Sequence, residues 1–176
     1  SALPIAKPVT LLNFINSSRC DKSPKPPLTI KGILNISVVV LINSKSYSIE
    51  LIPIHVYKDP NCGCCNEWIK ILKTEGFNVT SENMFSADLV QFKIKNNIPI
   101  NMVSCHTAKV DNYLIEGHVP SYDIKSLVNK QIDAIGLAVP EMPYGSPGMG
   151  PEHKRESYDV FLLNKDGTTT IFNSYD

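Results

Sequence analysis

Beyond an irregular N-terminal part, apolar residues recur with the periods of strands and helices. Residues 50–58 are rich in Ile, Val and Tyr and predict a strand that runs into an Asp-Pro turn signal. From Cys65 onward, apolar residues follow at i+3, i+4 and i+7, which predicts a helix ended by Gly76. Residues 77–80 predict a second strand, and residues 87–95 predict a second helix.

The remainder continues this pattern with shorter elements. Residues 113–119 predict a strand, residues 122–128 a short helix, and residues 136–150 a loop dense in Gly and Pro. Residues 158–164 and 168–175 predict two strands joined by a Lys-Asp-Gly turn. This order predicts an α/β, thioredoxin-like fold with a central mixed β-sheet flanked by helices and an insertion before the C-terminal β-hairpin.

Residues 1–48 differ from the rest and predict a leader without regular structure. Within them, residues 31–48 combine a basic residue, an apolar run and small residues, which is typical of a signal peptide with its cleavage site. The alternative is a buried strand, because residues 36–42 are strongly β-branched. We therefore expect a leader over 1–48 and a thioredoxin-like metal-binding domain over 49–176.

The charge balance argues against two classes of protein. The chain has 17 basic and 17 acidic residues, whereas nucleic-acid binding needs a clear basic excess on one face. Its apolar runs fall short of the roughly 18 to 20 residues of a membrane-spanning helix. We expect neither a nucleic-acid-binding protein nor an integral membrane protein.

Three of the five cysteines lie within four residues, at the predicted start of the first helix: Cys62, Cys64 and Cys65. The positive end of a helix favours thiolate, and thiolates this close repel each other unless protons, a bridge or a soft cation neutralise them. Neighbours at this spacing rarely form a structural disulfide, so metal binding is our first hypothesis. The alternative is a thiol–disulfide oxidoreductase that uses Cys62 and Cys65, for which Cys64 is superfluous.

A second group completes the candidate site if the fold brings it to the helix start. Cys105 would add a fourth thiolate, with His106 beside it, and Met142 and Met149 lie in the Gly- and Pro-rich loop. Four thiolates suit a structural zinc domain. Three cysteines on one side and one on the other, with methionines nearby, favour Cu(I) and sulfur-bridged multinuclear clusters instead.

The other histidines have weaker claims. For His118 a site role and simple packing are about equally favoured, His55 in the first strand is expected to be structural, and His153 belongs to a charged, solvated stretch. No hydrolase triad or phosphate loop is recognisable. Any enzymatic activity is therefore expected to be that of an oxidoreductase.

Five blocks of the chain resemble the CopG-like copper-resistance proteins, in the order and at the spacing of that family, over roughly residues 52–172. They are residues 56–68 with the Cys-Gly-Cys-Cys motif, 104–108 (SCHTA), 115–120 (IEGHVP), 136–143 (GLAVPEMP) and 145–149 (GSPGM). One departure is Glu141, where the family usually has Gly before Met-Pro. It adds a carboxylate and is expected to stiffen the loop.

The resemblance implies an exported, periplasmic bacterial protein with a thioredoxin-like fold. By position it implies that Cys62, Cys64, Cys65 and Cys105 bind copper as a Cu(I)–thiolate cluster, with Cu(I)/Cu(II) redox activity as a further expectation. His106 and the methionine loop are implied as neighbours of the metal. Copper ions, and other periplasmic copper-handling proteins, are the partners that it implies.

Overall fold

The structure, a computed structural model, describes residues 50–176. The predicted leader over residues 1–48, its signal-peptide segment and Cys20 lie outside the described residues. Within the described part the longest helix has 12 residues, and no helix there is long and apolar enough to cross a membrane.

Seven strands and three α-helices form the described part of the chain, with short 3₁₀ turns at Ile100–Met102 and Glu152–Lys154. The elements in order are β1 (Ile52–Lys58), α1 (Gly63–Thr74), β2 (Phe77–Asn83), α2 (Ser86–Lys95), β3 (His106–Val110), β4 (Tyr113–Gly117), α3 (Ser121–Lys130), β5 (Gly136–Val139), β6 (Tyr158–Leu163) and β7 (Thr169–Tyr175).

All seven strands join one mixed sheet in the order β2-β1-β3-β4-β5-β6-β7. The two parallel pairs, β1 with β2 and β4 with β5, are connected through α1 and α3, as parallel neighbours require a crossover. The remaining pairs are antiparallel. The predicted thioredoxin-like fold class, with its mixed sheet and flanking helices, is confirmed.

Alternating strand residues divide the core between the two faces of the sheet. On one face Trp68 and Leu72 of α1 and Leu127 of α3 pack against the strands. On β5 the neighbours Leu137 and Ala138 belong to different apolar clusters, as the two-residue period of a strand requires. Strands β4 and β5 are buried throughout, so the centre of the sheet is covered on both sides.

Two strands were missing from the sequence prediction. Residues 106–110, for which no element was predicted, form β3, and residues 136–139, predicted as loop, form β5. Both are short, and β5 begins with Gly136, whose Cα lies so close to the Leu114 carbonyl of β4 that a Cβ would overlap it. The sheet thus contains two antiparallel hairpins: β3–β4, which lies beside β1, and the predicted C-terminal hairpin β6–β7, which lies at the edge of the sheet.

The loop after β5 contains two consecutive non-glycine residues in the left-handed region. Glu141 has φ 63° and Met142 has φ 51°. Side chains with a Cβ are strained there, whereas glycine is not. This explains physically why glycine would suit position 141, the position at which the chain departs from the family pattern.

We predict that Glu141→Gly raises the free energy of unfolding of the metal-free, reduced protein by about 0.5 to 1 kcal/mol, because relief of left-handed strain exceeds the added entropy of the unfolded chain. Denaturant unfolding measures it. As a control, Gln91→Gly on the exposed side of α2 should lower the same quantity by about 1 kcal/mol. A loss of stability in Glu141→Gly would contradict the strain argument.

Candidate metal centre

The antiparallel pairing of β1 with β3 brings Cys105 to the start of α1. Lys58, the last residue of β1, is opposite His106, the first residue of β3. The chain leaving β1 turns through Asp59 into α1, while Cys105 immediately precedes β3. Residues 40 positions apart in the chain therefore meet at one end of the sheet, as the metal hypothesis required.

Cys62 begins α1 as its N-cap residue. Its backbone is extended, with φ −74° and ψ 96°, and its sulfur accepts the backbone N–H of Cys65 at 3.3 Å. This is the position at which a Ser or Asp oxygen usually satisfies a free helix N–H. The sulfur of Cys62 thus lies in the favourable field at the positive end of the helix.

Cys62 and Cys65 are joined by a disulfide, which corrects the expectation that such close neighbours would not be bridged. The N-cap position and the residue three places later have their Cα atoms 5.4 Å apart, within the range that disulfides need. Cys65 is fully buried, whereas Cys62 is only partly so. The structure therefore shows the C-x-x-C pair in its oxidised form.

Cys64 and Cys105 carry free thiols beside this disulfide. The sulfur of Cys64 is 3.5 Å from that of Cys62, and the sulfur of Cys105 is 3.5 Å from that of Cys65. The four sulfur atoms all lie within 4.8 Å of one another. The distances suit a shared metal centre once the disulfide is reduced.

His118 directs a ring nitrogen at the sulfur of Cys105. It follows β4, and its Nε2 is 3.3 Å from that sulfur while its Nδ1 is 2.7 Å from the carbonyl oxygen of Pro147. A carbonyl can only accept, so Nδ1 carries the proton and donates it, which leaves the lone pair of Nε2 facing the sulfur. Burial lowers the pKa of His118 and favours this neutral form.

His106 is fully buried, whereas its neighbour Cys105 is partly accessible to solvent. A cysteine is more often the buried member of such a pair, and a histidine the exposed one. The ring of His106 packs at 4.4 Å from the ring of Trp68, and its Nδ1 is 3.3 Å from the sulfur of Cys105. Its Nε2 is buried and has no hydrogen-bond partner among the residues described. Burial, together with the nearby His118, keeps the pKa of His106 well below its usual value.

Cys105 with these two histidines forms a second group whose ligand atoms lie within 4.8 Å of one another. Burial, followed by the proximity of Cys64, raises the pKa of the Cys105 thiol to about 12. Two buried, neutral imidazoles therefore converge on a protonated thiol. A soft cation that displaces the thiol proton would satisfy this donor set.

A buried ion pair lies behind Cys105. Lys93 of α2 and Glu116 of β4 are in direct contact, with only 2% and 0% of their side chains exposed. Burial lowers the pKa of Lys93 and raises that of Glu116, and their mutual attraction opposes both effects. Neither residue was predicted to be functional from the sequence, although a carboxylate within an otherwise apolar strand was a usable signal for Glu116.

The loop after β5 contacts the site through its backbone. Gly148, with φ +85°, lies so close to α1 that a Cβ would be 2.7 Å from the backbone nitrogen of Trp68 and 3.0 Å from the carbonyl oxygen of Cys64. Met149 follows it directly. Met142 is 40% exposed and lines an open cavity of about 610 Å³ to which none of the four cysteines contributes.

The structure thus brings together most of the residues selected from sequence: Cys62, Cys64, Cys65, Cys105, His106 and His118. Met142 lines a cavity to which none of these six residues contributes. That Met142 and Met149 bind the metal stays a prediction. His55 instead contacts Thr80 at 2.7 Å, and His153 is exposed. The carbonyl oxygen of Pro147 orients His118. The sequence could not have predicted this contact, because every residue has a backbone carbonyl whatever its side chain.

Comparison with known proteins agrees with the resemblance seen in the sequence. Residues 102–149 match a family described as "Protein of unknown function, DUF411". A comparison with curated protein sequences finds no match.

Two solved structures match over most of their length. One, "Copper resistance protein copG- Form 1", is 40% identical, with 72% of this chain and 98% of that chain covered and a TM-score of 0.67. The other, "Copper resistance protein copG- Form 2", is 39% identical, with 72% and 100% covered and a TM-score of 0.66. At this identity and coverage, the chain belongs to the CopG family of copper resistance proteins.

Proposed function

We propose that this chain is an exported bacterial copper-resistance protein that holds Cu(I) in the periplasm through Cys62, Cys64, Cys65 and Cys105. The observation that carries the proposal is the convergence of four sulfur atoms within 4.8 Å, from two separate parts of the chain. Thiolate is the ligand that Cu(I) prefers. Membership of the CopG family supports copper as the metal.

The donor set supports several copper ions rather than one zinc ion. Cys105 belongs both to the four-cysteine group and to the group with His106 and His118. Six donor atoms exceed the four that a tetrahedral zinc site uses, and one sulfur shared between two groups suits a bridge between ions. The multinuclear Cu(I) centre predicted from sequence is therefore the form we propose, with a four-thiolate zinc domain as the alternative.

Copper uptake by all four cysteines requires the reduced protein. Opening the Cys62–Cys65 disulfide takes two electrons and two protons, and metal binding then displaces the protons of the thiols. The proposal also includes export through the signal segment over residues 31–48, and exchange of copper with other periplasmic copper-handling proteins. Family membership and the sequence pattern support those parts.

We predict that reduced, oxygen-free wild-type protein takes up Cu(I) tightly, with thiolate-to-copper charge-transfer absorption. Replacing Cys62, Cys64, Cys65 or Cys105 singly with Ser should weaken uptake at least about tenfold, because each removes a charged soft ligand. Competition with a chromophoric Cu(I) chelator measures it, and Asn129→Ser, at an exposed position of α3, is the control without effect. Uptake as tight as that of wild type in all four variants would contradict the proposal. Unfolding of the protein when a chelator removes zinc would favour the four-thiolate zinc domain instead.

We expect the histidines to contribute less to Cu(I) affinity than the four cysteines do. We predict that His118→Ala lowers Cu(I) affinity about tenfold and shifts the charge-transfer band, because an oriented neutral nitrogen beside Cys105 is lost. His55→Ala is the matched control, since His55 contacts Thr80 and not the site. An unaltered spectrum and affinity in His118→Ala would exclude His118 from the metal centre.

A second candidate function, thiol–disulfide or copper redox chemistry, is favoured by the disulfide itself. On closing, Cys62 and Cys65 release two electrons and two protons, which suffice to reduce two Cu(II) ions to Cu(I). The N–H of Cys65 at the sulfur of Cys62 stabilises a thiolate there when the bond opens. These features support an oxidoreductase role that uses the same residues as copper binding.

We predict that metal-free protein equilibrated in glutathione buffers shows a single two-electron transition at Cys62 and Cys65. Mass spectrometry of the tryptic peptide over residues 59–70, which contains three cysteines, follows the bond. Cys64→Ser should keep the transition, and Cys62→Ser should lose it. A wild-type disulfide through Cys64, or no transition, would contradict a redox role for the pair.

A further inference from the structure

The buried pair of Lys93 and Glu116 is expensive for the fold. Both side chains are almost fully removed from water, and the desolvation of two charges often exceeds their mutual attraction. An apolar pair of similar size would commonly stabilise a core as well or better. The groups to which the pair is hydrogen-bonded indicate why the charges are there.

Glu116 holds both flanks of the segment that carries Cys105 and His106. One carboxylate oxygen accepts the backbone N–H of Ser104 at 2.6 Å, and the other accepts the hydroxyl of Thr107 at 2.6 Å. Lys93 donates to the Thr107 hydroxyl at 2.7 Å and to the carboxylate itself. The residues immediately before and after the Cys-His dipeptide are thereby fixed to one buried group.

The same network reaches the position of His118. Gly117, between Glu116 and His118, has φ +73°, and its Cα lies so near Ser104 that a Cβ would be 2.7 Å from the hydroxyl oxygen of that residue. Ser104 therefore contacts the carboxylate through its backbone and Gly117 through its side chain. Movement of Cys105 relative to His118 would break these contacts.

We propose that Lys93 and Glu116 are positioning residues of the copper site, which hold Cys105 and His106 in register with His118. This inference rests on the proposed function. Neither residue touches the sulfur cluster, so their effect passes through Ser104 and Thr107. Outer residues that orient metal ligands typically change metal affinity by 10- to 100-fold when they are replaced.

The test uses the double variant Lys93→Met/Glu116→Leu in the full chain, which removes both charges together with the acceptors of the Ser104 N–H and the Thr107 hydroxyl, and leaves no charge buried alone. We expect a folded protein by circular dichroism, Cu(I) affinity reduced about 10- to 100-fold in chelator competition, and a shifted charge-transfer band. The matched control is Lys165→Met/Asp133→Asn, an ion pair with 63% and 84% of its side chains exposed. It should leave both readouts unchanged.

A copper-free measurement separates this inference from the proposed function. In reduced, metal-free protein, alkylation of Cys105 is followed in the tryptic peptide over residues 96–109, and that of Cys64 in the peptide over residues 59–70. We expect the double variant to alkylate several-fold faster at Cys105, with the rate at Cys64 nearly unchanged. Failure of wild type to bind copper would remove the proposed function, and the alkylation rates would still decide positioning.

The inference is overturned if the double variant binds Cu(I) as tightly as wild type and Cys105 alkylates at the wild-type rate. Should the double variant not fold, Thr107→Val takes its place, because it removes one hydroxyl from the network at nearly constant volume. A smaller loss of affinity and faster Cys105 alkylation would support positioning. Wild-type values for both in Thr107→Val would overturn it.

Discussion

The candidate centre depends on the antiparallel register of β1 and β3. Because Lys58 is paired with His106, the segment that precedes β3 returns to the point where β1 passes into α1. A slip of one residue would invert every side chain of β3 and carry the apolar face out of the core. The packing of Val56 and Ala108 on the α1 face therefore fixes the place of Cys105 as firmly as any contact within the site.

Desolvation is the second constraint, and it acts on several polar groups at once. His106, His118 and Glu116 are fully buried, and the thiol of Cys105 has its pKa raised to about 12 by burial. Each of these groups is costly away from water unless a partner compensates for the lost hydration. The carbonyl of Pro147 satisfies His118 and the Lys93 network satisfies Glu116, but Nε2 of His106 has no such partner in the described part of the chain. The nitrogen of His106 that faces the sulfur of Cys105 is Nδ1, so a metal ion at that sulfur would be bound through Nδ1 and would leave Nε2 unpartnered.

Local periodicity predicted most of the elements but missed two short strands of the central sheet, β3 and β5. It predicted β1, α1 and the C-terminal hairpin within a few residues, because their patterns extend over a full element. Strands β3 and β5 have five and four residues, and their burial comes from neighbours on both sides rather than from their own composition. The fold class could still be predicted, since the order of the remaining elements narrowed the choice of topology.

The sequence by itself determined which candidate metal ligands the chain contains: three cysteines at a helix start and a Cys-His pair elsewhere. It also determined that the chain has balanced charge. Local spacing sufficed there, because helix capping and thiolate repulsion act over a few residues. Only the tertiary structure decided that Cys105 and His118 join the cluster while Met142 lies on a separate cavity, and that Lys93 and Glu116 lie behind it. Those outcomes depend on strand register and burial, which are properties of distant segments packed together.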